Sequence, residues 1–166
     1  MWAIRIFLAL VVALGLSACG NNSKFKRYNG PDVTSIQVHK ADRKMYLLHD
    51  RKVLKSYDVA LGFTPVGHKL YEGDGRTPEG TYYINRRNPN SEFHLSVGIS
   101  YPNTNDRITA MTMGKSPGGD IFIHGRSYWQ GKNKGDWTAG CIAVTDKEIE
   151  LVYAMIKDGT QITILP

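Results

Sequence analysis

Residues 121–144 read Ile-Phe-Ile-His-Gly-Arg-Ser-Tyr-Trp-Gln-Gly-Lys-Asn-Lys-Gly-Asp-Trp-Thr-Ala-Gly-Cys-Ile-Ala-Val. Three apolar residues, Ile121 to Ile123, follow a Pro-Gly-Gly-Asp turn and predict a short buried strand. That strand delivers His124 to its far end. A polar loop rich in Gly, Lys, Asn and Asp then returns to Gly140-Cys141, ahead of a second apolar run. A thiol is a poor nucleophile until a base takes its proton, and an imidazole within hydrogen-bond reach is such a base. Gly140 has no Cβ, so the chain can turn tightly and aim nearby amides at an oxyanion. Alone, a Cys and a His carry little weight. A buried Cys commonly behaves as a small hydrophobe, and a His commonly closes a local hydrogen bond.

Outward from this stretch the pattern is β. Ile36 and Val38 alternate with polar residues from Thr34, and a turn at 41–43 leads to a strand over Met45–Leu48. A second turn at 50–52 leads to a third strand over Val53–Leu61, which makes a meander. Thr81–Ile84 and Phe93–Ile99 are further strands, and one of Tyr82 and Tyr83 belongs to the core. Thr145-Asp146-Lys147-Glu148 has the spacing of a capping box, and Ile149, Val152, Tyr153 and Ile156 then recur at helical spacing. Gly159 stops this helix, and Gln161–Leu165 make a final strand. Lying just after Cys141, the helix is expected to hold the nucleophile's segment against the sheet. The fold class expected is mainly β, a small sandwich or curled mixed sheet with one or two helices.

The first 18 residues stand apart from that fold. Arg5 is their one charge, and Ile6–Leu16 form an apolar run too short to span a bilayer, which takes about 20 residues. Such a run suits a signal peptide. Leu16-Ser17-Ala18-Cys19 resembles the lipobox of bacterial lipoproteins, which implies lipidation of Cys19 and a membrane anchor. Gly20 rather than Asp after the Cys implies, by the sorting rule of that family, the outer membrane of a Gram-negative cell. The organisation expected is a signal peptide over 1–18, a lipidated Cys and polar tether over 19–32, and one domain over 33–166. The protein would then be exported, lipid-anchored and periplasm-facing.

Of 166 residues, 148 remain once the signal is removed, enough for one domain with a real core. The net charge of +6 is scattered over separate segments, and an exported chain does not suggest nucleic acid as a partner. An anionic, carboxylate-bearing wall polymer suits the sign better. With Cys19 lipidated, Cys141 is the one free thiol in an oxidising compartment, and its place after a Gly on a loop favours a chemical use.

His124-Gly125 and Thr138-Ala139-Gly140-Cys141, with Gly73-Asp74-Gly75-Arg76-Thr77-Pro78-Glu79-Gly80 upstream, resemble the signatures of YkuD-type L,D-transpeptidases. These are cysteine enzymes of the bacterial cell wall, and the resemblance covers residues from about 36 to 166. It implies Cys141 as nucleophile, His124 as proton donor and acceptor, the Gly125 carbonyl as the group that orients the imidazole, and Gly140 at the oxyanion turn. Arg76, Arg126 and Thr138 are implied substrate contacts, the arginines through forked pairing with a carboxylate. Trp129 and Trp137 are expected to hold the loop down. Peptidoglycan stem peptides are the implied partner, and neither metal nor cofactor is required.

Two positions depart from the family pattern. Ala139 stands where a second His is usual, and Ala143 where an Arg often follows the Cys. A branch of the family shares the missing His and includes enzymes that cut the link between peptidoglycan and a wall-bound lipoprotein. The acyl group on Cys141 would then pass to an amine or to water, with a modest preference for water. Two other readings compete. One is a zinc-dependent murein peptidase built on His68, Asp74 and His94, with loose spacing for metal ligands. The other is a non-catalytic peptidoglycan-binding lipoprotein with a dead site.

Overall fold

A computed structural model describes residues 23–125 and 135–166. The expected signal segment, Cys19, Arg126 and Trp129 lie outside these residues. Eight strands form a single mixed sheet: β1 (Ser35–His39), β2 (Lys44–His49), β3 (Lys52–Asp58), β4 (Gly80–Asn88), β5 (Ser96–Ile99), β6 (Phe122–His124), β7 (Ile142–Ala143) and β8 (Gln161–Leu165). Among the described residues two helices accompany them, α1 (Thr104–Thr112) and α2 (Asp146–Met155). The strand order is β3-β2-β1-β8-β4-β5-β6-β7, with β1–β8 and β6–β7 parallel and the rest antiparallel.

The meander forms because β1 and β2 alternate apolar and polar residues. Ile36, Val38, Met45 and Leu47 turn inward and are fully buried, while Gln37, Lys44 and Tyr46 stay partly wet. The edge strand β3 carries Lys52 and Lys55 with few buried residues, a composition that discourages pairing with other chains. It is shorter than the expected Val53–Leu61. Beyond Asp58 the chain leaves the meander and crosses to the opposite edge of the sheet. There Ala60 and Ala143 exchange both backbone hydrogen bonds, at 2.9 and 2.8 Å, and the Phe63 N–H donates to the Thr138 carbonyl at 2.9 Å. The sheet thus curls until its two ends meet beside Cys141.

Residues 59–79 form a long connection without regular structure, a length uncommon in compact domains unless it is functional. Buried charges pin it. The Lys40 ammonium donates to the Gly67 and Thr77 carbonyls and to Glu79. The Lys69 ammonium donates to Asp74 at 2.8 Å, and Asp74 also accepts from the Leu70 and Arg76 amides.

The expected helix forms with its box closed. The Thr145 hydroxyl accepts from the Glu148 amide, and the Glu148 carboxylate accepts from the Thr145 amide. Ile149, Val152 and Met155 face the core, and α2 packs on β5 and β6 as expected. Sequence reasoning did not locate α1. Its Asn103–Asp106 capping box is a sound start signal, but Ile108 and Met111 are exposed, so no apolar stripe marks the helix. Tyr82 is the core member of its pair and Tyr83 the exposed one. The described part of the expected tether lies along the domain. Lys24 donates to the Pro89 carbonyl, Lys26 pairs with Glu150, and Phe25 sits 6.2 Å from the Tyr153 ring.

Candidate active site

His124 ends β6 and is buried. Its Nδ1 lies 2.7 Å from the Gly125 carbonyl oxygen. A carbonyl only accepts, so Nδ1 carries the hydrogen, and in the neutral ring Nε2 holds the lone pair. Gly125 leaves no room for a side chain. A Cβ there would stand 2.7 Å from the Asp146 carboxylate and 2.9 Å from the Phe93 carbonyl. The Gly125 amide donates to the Phe93 and Leu95 carbonyls, which fixes the end of the strand. Phe93 lies across the imidazole at 4.4 Å between centroids, and Trp137 meets it edge-on at 5.8 Å. Trp137 therefore packs on the imidazole and on the Phe93 ring.

Cys141 lies on the neighbouring strand's approach. The β6–β7 register pairs Ile123 with Ile142 and His124 with Ala143, so one step back Cys141 falls beside Phe122. The thiol donates to the Asp120 carbonyl at 3.4 Å and receives the Phe122 N–H. Burial pushes the thiol above its usual range. The Phe122 N–H and the Lys69 ammonium favour the thiolate, while the Asp120 carboxylate opposes it. Burial also pulls the imidazole below its usual value, against the Gly125 carbonyl. The resting pair is therefore a neutral thiol and a neutral imidazole, able to accept a proton when the thiol attacks.

The turn before Cys141 is built around Thr138 and Gly140. Thr138 is buried, its hydroxyl donating to the Cys141 carbonyl at 2.7 Å and accepting from the Gly140 amide at 3.1 Å. That hydroxyl, implied by resemblance to touch substrate, is engaged inside the turn. Gly140 has φ +142°, and a Cβ on it would meet the Arg76 carbonyl at 2.8 Å. The Arg76 backbone thus underlies the nucleophile's turn, while its guanidinium lies 3.4 Å from the His68 carbonyl. Ala139 is exposed; Ala143 is fully buried against Ala60.

The three residues of the zinc reading do not converge. His68 binds Asp106 at 3.1 Å, Asp74 binds Lys69, and His94 binds Glu150 at 2.9 Å. Among the described residues, no group of three His, Cys, Asp or Glu side chains is placed to hold a metal ion.

Sequence reasoning missed Phe93, Asp120 and Arg86. The strand expected over Phe93–Ile99 begins only at Ser96, so Phe93 lies in the turn before it, with its ring on the imidazole. Asp120 was read as a turn residue, and its φ of +55° agrees with that. Arg86 meets the Asp120 carboxylate from a strand irregularity between Ile84 and Arg86 that no sequence pattern announces.

The chain is similar to known proteins over most of its length. The YkuD family, described as the L,D-transpeptidase catalytic domain, matches residues 34–164. YafK of Escherichia coli (strain K12) is 25% identical over 144 residues, covering 79% of this chain and 53% of that protein. The chain spans about half the length of the curated relatives it matches. The crystal structure of the helical cell shape determining protein Pgp2 from Campylobacter jejuni superposes with a TM-score of 0.61 at 25% identity, covering 90% of this chain and 53% of that one. Bd1075 from Bdellovibrio bacteriovorus shares the fold, with a TM-score of 0.57 at 22% identity over 85% of this chain and 50% of that one. The curled sheet, the two helices and the match over residues 34–164 lead to one conclusion: this chain belongs to the YkuD family of L,D-transpeptidase catalytic domains.

Proposed function

We propose that this protein is a peptidoglycan-modifying cysteine enzyme. Cys141 takes the acyl group of a stem peptide at the L-centre of its diaminopimelate and passes it mainly to water. His124 Nε2 draws the thiol proton, the sulfur attacks the carbonyl, and the imidazolium returns the proton to the leaving amine. The observation that carries this reading is the 2.7 Å contact between His124 Nδ1 and the Gly125 carbonyl, on the strand beside Cys141. It fixes the tautomer a base needs. The Gly140 amide is engaged by Thr138, so the Cys141 amide is the donor assigned to the oxyanion. Arg126 and Arg76 remain substrate-side candidates by resemblance.

The preference for water rests on the acceptor side. A transferase has to hold an amine acceptor and keep water out. Ala139 offers only a methyl group there, and Ala143 is buried and offers nothing. Release of a peptide or a wall-linked lipoprotein from stem peptides then exceeds cross-link formation. The place of action we propose is the periplasmic face of the outer membrane, held by lipidated Cys19. Mass spectrometry of muropeptides after incubation with the protein tests this reading. Tripeptide products support it, and 3–3 cross-linked dimers as the main product contradict the hydrolytic preference. Unchanged muropeptides favour a non-catalytic wall-binding protein.

A further inference from the structure

One cross-strand row of the sheet leads to the nucleophile. Arg86 on β4 pairs with Gly98 on β5, Gly98 pairs with Phe122 on β6, and Phe122 lies beside Cys141. Tyr82 and Ile84 of β4 point into the core, and simple alternation would send Arg86 inward after them. The irregularity between Ile84 and Arg86 prevents this and leaves Arg86 half exposed. Bulges recur beside active sites because they re-aim a side chain in this way.

Three features then hold the re-aimed side chain across the row. Gly98 leaves a trough, because a Cβ there would stand 2.6 Å from Arg86 Cγ. The guanidinium lies over the Phe122 ring at 4.5 Å. Its Nη2 meets Asp120 Oδ1 at 2.5 Å, and the carbonyl of the same Asp120 receives the Cys141 thiol. Phe122 and Cys141 are backbone neighbours on adjacent strands, so the row sets the guanidinium over the residue beside the nucleophile.

Both charged groups remain largely open to solvent, and an exposed pair of this kind contributes little to stability. The arrangement is costly to build for a surface ion pair alone, since it needs a bulge, a glycine trough and an aromatic floor. From this geometry we infer that Arg86 and Asp120 form a clamp for a zwitterionic amino-acid end of the substrate. The guanidinium takes its carboxylate and Asp120 takes its ammonium. The inference rests on the functional reading above. In a diaminopimelate stem peptide, three methylenes separate the attacked L-centre from a D-centre that bears both groups, a reach that matches the row.

Binding to the full-length protein carrying Cys141→Ala, measured by calorimetry, separates the clamp from turnover. The probes are a disaccharide tetrapeptide with a free D-centre, the same compound amidated at the D-centre carboxylate, and the same compound N-acetylated at the D-centre amine. Each blocked compound should bind about 10–100-fold more weakly, the loss expected for a hydrogen bond to a charged group. Adding Arg86→Gln should weaken the free compound by a similar factor and leave the amidated one nearly unchanged. Equal affinity for the free and blocked compounds overturns the clamp, and this comparison needs no change at Arg86. Equal losses on the free and amidated compounds from Arg86→Gln overturn it as well. Discriminating binding without turnover by the wild type would overturn the functional reading and leave the clamp standing.

Discussion

The Arg76 carbonyl sits 2.8 Å from the point where a Cβ on Gly140 would stand. This contact joins the connection after β3 to the turn that presents Cys141, and it explains why the residue before the nucleophile has no side chain. Gly140→Ala has to move the Arg76 backbone or the turn, and a non-glycine residue at φ +142° is strained in addition. Strain of this type costs about 1–3 kcal/mol. The expected result is a modest loss in denaturant midpoint and a turnover loss of about 10²-fold, since small displacements of reacting groups have that effect.

Cys141→Ala should abolish turnover and leave the unfolding midpoint close to wild type, because one small residue replaces another on a half-buried turn. More than trace activity in this variant contradicts a thiol nucleophile.

His124→Gln should lower the acylation rate by about 10²–10⁴-fold, the range for general-base help. The imidazole lies below its ordinary 6.5, so the wild-type rate should hold as pH falls through 6.5 and drop only beneath it. A neutral ring accepts the proton and a charged one does not. His68→Gln and His94→Gln should have far smaller effects on turnover, since each ring is bound to a separate carboxylate, Asp106 and Glu150. Equal losses at all three positions, measured by steady-state kinetics, contradict this assignment.

Thiol alkylation reads the other half of the pair. Burial holds Cys141 above the usual thiol value of 9.0, so labelling by iodoacetamide should be slow at neutral pH and rise only on the alkaline side. The Asp120 carboxylate contributes to that rise, so Asp120→Asn should move the alkylation profile to lower pH. A profile moved upward would show that the carboxylate does not oppose the thiolate.

The Lys69–Asp74 pair is buried on both sides, and its loss should be felt in stability. Asp74→Asn leaves the Lys69 ammonium without its counter-ion. Breaking a buried pair by removing one partner costs about 3–5 kcal/mol. Burial raises the Asp74 carboxyl, but the Lys69 hydrogen bond and the amides of Leu70, Arg76 and Tyr71 together hold it below its usual value. Its stabilising contribution is therefore present above about pH 3.8 and is lost as pH falls through the lower folded value. Acid unfolding of wild type and variant, followed by circular dichroism, checks both points.

The sequence exposed what periodicity and caps control. Ile36 and Val38 announced β1, Thr145 and Glu148 announced α2, and the Ile-Phe-Ile run placed His124 at a strand end. Gly140 was legible as a tight position because a residue without a Cβ can turn there. What stayed hidden depends on contacts between distant segments. The crossing of Val59–Phe63 to β7 is fixed by backbone bonds to Ala143 and Thr138, which leave no mark on residue type. Buried Lys40 and Lys69 look like ordinary surface lysines until Glu79 and Asp74 are brought to them. The strand irregularity that turns Arg86 toward the nucleophile's row breaks the alternation from which its orientation would be read.

The central claim is a thioester on Cys141. Acid-quenching the protein during turnover of a tetrapeptide muropeptide, followed by peptide mapping in the mass spectrometer, tests it most directly. The wild type should carry one acyl mass on the peptide that contains Cys141, and Cys141→Ala should carry none. Continued turnover with no acyl mass on Cys141, or an acyl mass that persists in Cys141→Ala, would contradict it.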